Sequence, residues 1–246
     1  MKKKKVVFIV MITVFAGLSI LAVLMLNGSV KINDIVARAY TVRGVDVSKY
    51  QGEIDWERIA EQNIEFAFIK ATEGSSHVDQ KFAINWANSL KTDMKIGAYH
   101  FFSYDSNGKT QAQNFMQNVP IREGTLPPVV DVEFYDDKEQ NLPDKKETVV
   151  ILHDMLTALE KHYKKKPIIY TTQKAYNLYI KDDFSDYPLW IRNVWYPASF
   201  TVGDSWAFWQ YSDKGILDGY DGDEKFIDLN FFNGSKEQLE KMCKTQ

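Results

Sequence analysis

Two carboxyl side chains stand two residues apart in an otherwise apolar run, Pro127-Pro128-Val129-Val130-Asp131-Val132-Glu133-Phe134. On a β-strand, residues i and i+2 point to the same face. Asp131 and Glu133 therefore project together, about 6–7 Å apart at Cα. Burying two acids side by side is costly, and the proximity of like charges favours keeping one of them protonated near neutral pH. A carboxylic acid beside a carboxylate is what cleavage of a glycosidic bond requires. Two further acids stand in similar settings: Asp46 at the end of Val45-Asp46-Val47, and Asp228 in Ile227-Asp228-Leu229-Asn230.

The elements that must position these acids alternate along the chain. Short β-rich apolar runs at 42–47, 66–71, 95–102, 129–134, 167–171, 188–193, 206–211 and 226–231 read as strands. Helical patterns at 55–62, 80–91, 110–118, 145–164 and 173–180 separate the first five and follow the fifth. After the sixth strand the connections are polar and show no helical period, and a last helix at 236–244 closes the chain. This alternation predicts an α/β fold, an irregular TIM-like (β/α) barrel of about five βα units followed by three strands with few helices. In a closed barrel the first and last strands are neighbours, so Asp46 and Asp228 converge, and acids at the carboxyl ends of strands one, four and eight share one mouth.

Aromatic residues supply the other half of a sugar site, because sugar rings present apolar C–H faces while their hydroxyls seek polar partners. Tyr99, Phe101, Phe102, Tyr170, Trp190, Trp195, Trp206, Trp209 and Tyr211 lie on or beside the strands. Most belong to the core; Tyr170, Trp190 and Gln210 are the choices for the groove. Lys70 and Glu73, around Ala71-Thr72-Glu73-Gly74, fall near the same mouth.

Other chemistries fit poorly. Gly108-Lys109-Thr110 ends like a phosphate loop, but Ser103 stands where its first glycine is needed. His77, His100, His153 and His162 lack zinc-protease spacing, and the acidic stretch 218–224 lacks the order of a calcium loop. A chitinase-like pattern would need a further acid at Val129. The single cysteine, Cys243, excludes an intrachain disulfide and a cysteine metal cluster. No metal and no cofactor are expected.

The chain also carries an address. Met1 is followed by four lysines and an uncharged apolar run over 6–26, long enough for one crossing of a ~30 Å hydrocarbon layer. The expected organisation is a cytoplasmic basic tail at 1–5, a transmembrane signal-anchor at 6–26, a linker at 27–40 and a catalytic domain at 41–246 outside the membrane. The alternative is secretion after cleavage near Ala37-Arg38-Ala39. Beyond residue 40 there are 24 basic and 32 acidic residues, a formal charge of −8. That excludes a basic nucleic-acid surface, and attachment to an anionic wall would rest on the anchor rather than on charge.

Taken together these pieces resemble the glycoside hydrolase family 25 lysozymes. The matching segments are Gly44-Val45-Asp46-Val47-Ser48-Lys49-Tyr50-Gln51-Gly52, Ile54-Asp55-Trp56, Phe68-Ile69-Lys70-Ala71-Thr72-Glu73-Gly74 and Gly97-Ala98-Tyr99-His100-Phe101. Val130-Asp131-Val132-Glu133, Leu189-Trp190-Ile191, Trp209-Gln210-Tyr211-Ser212 and Asp228-Leu229-Asn230 follow in family order. The resemblance covers nearly all of residues 43–233. It implies a lysozyme (N-acetylmuramidase) acting on peptidoglycan, with Asp46, Asp131, Glu133 and Asp228 as the active-site acids, as a monomeric catalytic domain. Glu133 would be the general acid, with Asp131 orienting the substrate's 2-acetamido group for attack on C1; alternatively Asp46 or Asp228 attacks or activates water. The sequence departs from the family at Asn63, where glycine is common, at His77, where an aromatic is usual, and at Arg192-Asn193, which replaces Ala-Arg/Lys. The rival reading is a catalytically inactive barrel that binds wall glycan.

Overall fold

The computed structural model describes residues 2–26 and 32–244. Nine strands form one sheet: β1 Arg43–Val47, β2 Phe66–Glu73, β3 His77–Val78, β4 Lys95–Phe101, β5 Val129–Val132, β6 Ile168–Thr172, β7 Leu189–Arg192, β8 Phe208–Gly215 and β9 Ile227–Phe232. The order β1-β9-β8-β7-β6-β5-β4-β2 returns to β1 through a β1–β2 ladder, so eight strands close a barrel. The two-residue β3 pairs only with the end of β2. From β1 to β8 all ring neighbours are parallel; β9 is antiparallel to both β8 and β1.

The expected irregular α/β barrel is the fold, with one correction to its last strand. Asp228 is the second residue of β9 rather than at a carboxyl end. Because β9 runs backwards, its amino end lies where the other strands finish, and Asp228 still meets Asp46 across the ladder.

Strands covered on both faces read as continuous apolar runs rather than alternating ones, and β5 and most of β2 are buried throughout. Phe66, Phe68, Trp190 and Phe208 fill the barrel interior with Val129 and Ile168. Each such side chain contributes roughly 1.5–3 kcal/mol on burial. Two glycines make room for them: a Cβ on Gly44 would stand 2.3 Å from the Phe66 ring, and one on Gly97 2.5 Å from Phe68.

Around β1–β6 the outer layer is helical, at Trp56–Ala60, Phe82–Ser89, Gly108–Asn118, Lys145–Tyr163 and Gln173–Ala175, the last continuing as a wider turn over Tyr176–Ile180. Outside β7–β9 that layer is replaced by the short helix Ser199–Val202 and by the segment before β1. Ala37, Ala198, Val202 and Trp206 cover Ile191, Trp209 and Phe231 there. Residues 27–31 of the expected linker lie outside the described residues. The rest, helix Ile32–Val36 and the turn Ala37–Ala39, packs on the barrel: Asn33 is fully buried and donates to the backbone carbonyls of Asn193 (2.9 Å) and Tyr211 (3.0 Å).

Among the described residues no helix is long and apolar enough to cross a membrane. The single-pass anchor expected over 6–26 is therefore not supported. That run does lie within a helix, Lys2–Leu26. Its side chains over residues 5–17 are exposed.

Candidate active site

At the mouth of the barrel lies a cavity of about 360 Å³. Seven strands bring their carboxyl-terminal halves to it and β9 brings its amino end. Asp46, Asp131, Glu133 and Asp228 all line it, as do Lys70, Tyr170, Trp190 and Gln210. Glu73 is not in the lining; its Oε2 accepts from Lys70 Nζ at 2.8 Å, and that ammonium also lies 4.6 Å over the Phe101 ring. The structure thus gathers all four expected acids and four of the five other expected site residues into one hollow.

Asp46 is held by a relay of side chains. Gln210 Nε2 donates to its carboxylate at 3.1 Å and Asn230 Nδ2 at 2.6 Å. Tyr170 Oη donates to Gln210 Oε1 at 2.9 Å, and Trp190 Nε1 to Asn230 Oδ1 at 2.8 Å. Trp190 is only 2 % exposed and stacks on Phe68 at 4.6 Å between ring centroids. Its indole is therefore mainly floor and hydrogen-bond anchor, with little free face for a sugar. Burial raises the Asp46 pKa, and the amide donors oppose that rise. Burial, then the neighbouring Asp46 and Asp213 charges, push Asp228 up to about 9. At neutral pH Asp228 is the protonated member of this pair and can donate to Asp46.

Asp131 and Glu133 are built differently. Asp131 is 6 % exposed, and its Oδ1 is buried with no hydrogen-bond partner among the described residues. Burial first, and then the Glu133 charge, raise its pKa well above the usual carboxylate range. Glu133 follows the last residue of β5 and is partly buried. Burial raises its pKa, Arg192 opposes the rise, and Asp46 adds to it. The cavity therefore holds one carboxyl group, Asp228, kept protonated around neutral pH, and two more whose pKa values burial raises, beside polar groups arranged for a polyhydroxylated ligand. Among the described residues no group of three or more His, Cys, Asp or Glu side chains could hold a metal ion.

The chain is similar to known proteins. The model of glycosyl hydrolases family 25 matches residues 45–220. The chain belongs to that family. YegX of Escherichia coli K12 is 38% identical over 210 residues, 83% of this chain and 74% of YegX. Lysozyme M1 of Streptomyces globisporus is 32% identical over 209 residues, 80% and 70% of the two chains. Among solved structures, a family 25 glycosyl hydrolase from Bacillus anthracis is 52% identical, with a TM-score of 0.78 over 82% of this chain and 94% of its own. A family GH25 lysozyme from Aspergillus fumigatus has a TM-score of 0.71 at 28% identity, over 82% and 98% of the two chains. As a family 25 member the chain is a glycosidase.

Several site residues escaped the sequence reading. Asn230 follows Asp228 by two on one strand, and Arg192 follows Trp190 by two; the period-2 rule that paired Asp131 with Glu133 reaches both. Asp213 was beyond that rule. The β8–β9 register shifts between Gln210 and Ser212 and again between Ser212 and Gly215, and such bulges redirect side chains unpredictably from sequence. The family departure at Asn63 has a backbone cause: its φ is 61°, the left-handed region where glycine is cheapest and asparagine tolerable.

Proposed function

We propose that the chain is a peptidoglycan hydrolase of the muramidase type, cutting the β-1,4 bond between N-acetylmuramic acid and N-acetylglucosamine. Lysozyme M1 and the Aspergillus fumigatus lysozyme support the substrate class through family membership. In this reading Glu133 protonates the departing glycosidic oxygen, and Asp131 orients the 2-acetamido group that attacks C1. The observation that carries it is the buried, unpartnered Oδ1 of Asp131, in the cavity lining two residues from Glu133. A substrate amide N–H would satisfy that acceptor, and the pairing favours substrate-assisted attack.

Direct attack by the other pair is disfavoured on chemical grounds. Asp46 has its charge spread over amide donors. Asp228, up to about 9, is protonated where a nucleophile or base must be ionised. Lys70, Tyr170 and Gln210 would bind the sugars, with Trp190 and Glu73 supporting them.

The test uses the full-length chain in detergent and purified peptidoglycan, with mass spectrometry of new reducing ends. N-acetylmuramic acid ends that vanish in Glu133→Gln are expected. A folded protein that binds the wall and makes no ends would establish the binding-only reading instead. We place its action outside the cytoplasmic membrane, supported by the lysine-led apolar segment at the start of the chain; fractionation of cells expressing the full chain tests this, and recovery in the cytoplasm would refute it.

A further inference from the structure

Titratable groups from all eight barrel strands face the cavity that holds Glu133. The acids are Asp46 on β1, Asp131 on β5, Asp213 on β8 and Asp228 on β9. The phenols are Tyr99 on β4 and Tyr170 on β6, with Tyr50 from the turn after β1 at the rim. The cations are Lys70 on β2 and Arg192 on β7, and each is tied to a carboxylate of its own. Lys70 Nζ lies 2.8 Å from Glu73 Oε2, and Arg192 Nη2 lies 2.9 Å from Asp213 Oδ2.

The Arg192–Asp213 pair is not explained by stability. Its side chains are 33% and 35% exposed, and ion pairs open to solvent screening add little to folding. A guanidinium in a cavity of carboxyl groups has a strong tendency to form a forked pair with one of them. Glu133 shares the lining with it, yet among the described residues Glu133 makes no ion pair.

We propose that Asp213 is a positioning residue that ties the Arg192 guanidinium to the rim of the groove, so that the guanidinium does not pair with Glu133. The β8 bulges on either side of Ser212 give Asp213 this reach. Without the tie, the cation would stabilise the Glu133 carboxylate, and the acid would lose its proton at lower pH. Loss of the Asp213 charge would also relieve Asp228, whose proton that charge helps to hold. The catalytic consequence rests on the muramidase reading above; the charge coupling itself does not.

The experiment is the pH profile of kcat/KM on purified peptidoglycan for the full-length chain, Asp213→Asn, Arg192→Gln and the double variant. The alkaline limb of such a profile reports the essential acid in the free enzyme. Asp213→Asn is expected to move that limb down by roughly 0.5–1 pH unit, and Arg192→Gln to move it up by a similar amount. The double variant should fall between them. Both single variants moving the limb the same way, or neither moving it, would overturn the proposal. So would a raised KM with a fixed limb in Arg192→Gln, which would mark Arg192 as a substrate-binding residue. A second readout separates this from the parent reading: titration of the ¹³C-labelled Glu133 carboxyl by NMR without substrate, assigned with Glu133→Gln. If the native chain fails to cut wall, the muramidase reading falls, and an unmoved Glu133 titration in Asp213→Asn would still sink the tie.

Discussion

Asp46 and Asp228 face each other across the β1–β9 ladder, with Gln210 and Asn230 donating to Asp46 and with Tyr170 and Trp190 bracing those amides in turn. Asp131 on β5 and Glu133 just after it line the same cavity, and among the described residues they have no such bracing, one Asp131 oxygen being left without a partner. The two pairs share a cavity, a charge and a depth of burial, so the difference lies in what surrounds them. A carboxylate whose acceptors are filled by the protein serves the architecture. One whose acceptor is left empty has its partner still to come, and the cost of keeping it empty is met by the rest of the fold.

Substitutions can break that contrast. The largest effect is expected for Glu133→Gln, a loss of about 10²–10⁴ in kcat, read as the rate of new reducing ends, with the melting temperature little changed. An equal loss in Asp46→Asn and in Glu133→Gln would erase the distinction between the pairs. Asn230→Ala should act in the other sense, costing about 1–3 kcal/mol of stability by stripping the Asp46 carboxylate of its shortest donor. Denaturant unfolding measures this, and an unchanged midpoint would show that the bracing is not energetic.

The pH dependence of folding sharpens the same point. Asp228 has a folded pKa of about 9, above its unfolded value near 4. A raised carboxyl pKa gives stability that is full below the unfolded value and is lost as pH rises to the folded one. Stability should therefore fall from about pH 4 to pH 9, by at most about 1.4 kcal/mol per pH unit for this group. Asp228→Asn should flatten that slope in chemical unfolding at several pH values; an identical slope in the variant would refute the assignment. The smallest effect belongs to Asn63→Gly, remote from both pairs. Relief of the left-handed backbone, partly offset by the greater chain entropy of glycine, should stabilise by less than about 1 kcal/mol with kcat unchanged, and it provides the baseline for the others.

The parts of this molecule that obey a short repeat were legible in its residues. The period of two placed Asp131 with Glu133, and apolar runs separated by helical patterns gave the barrel and its bare side. What was hidden depends on direction, register or distant contact. Nothing in Ile227-Asp228-Leu229-Asn230 states that its strand runs backwards. The bulges that present Asp213 are consequences of the β8–β9 pairing rather than of β8 alone. The helical segment before β1 reads as a plain linker because its key contact, Asn33 on the carbonyls of Asn193 and Tyr211, spans about 160–180 residues. Trp190 looked like a sugar platform because an aromatic on a barrel strand has two possible duties, and only the packing of Phe68 against it selects between them.

The reversed direction of β9 has a consequence for how this domain can be joined to others. A final strand that starts at the mouth must finish at the floor, and the helix that follows it, Lys236–Met242, seats Leu239 and Cys243 against the inner cluster with Val42 and Phe66. The last helix thus lies on the side of the barrel away from the groove. A partner module fused there would travel behind the site as cargo, free to grip a surface without standing between the cavity and a long polymer threading past it.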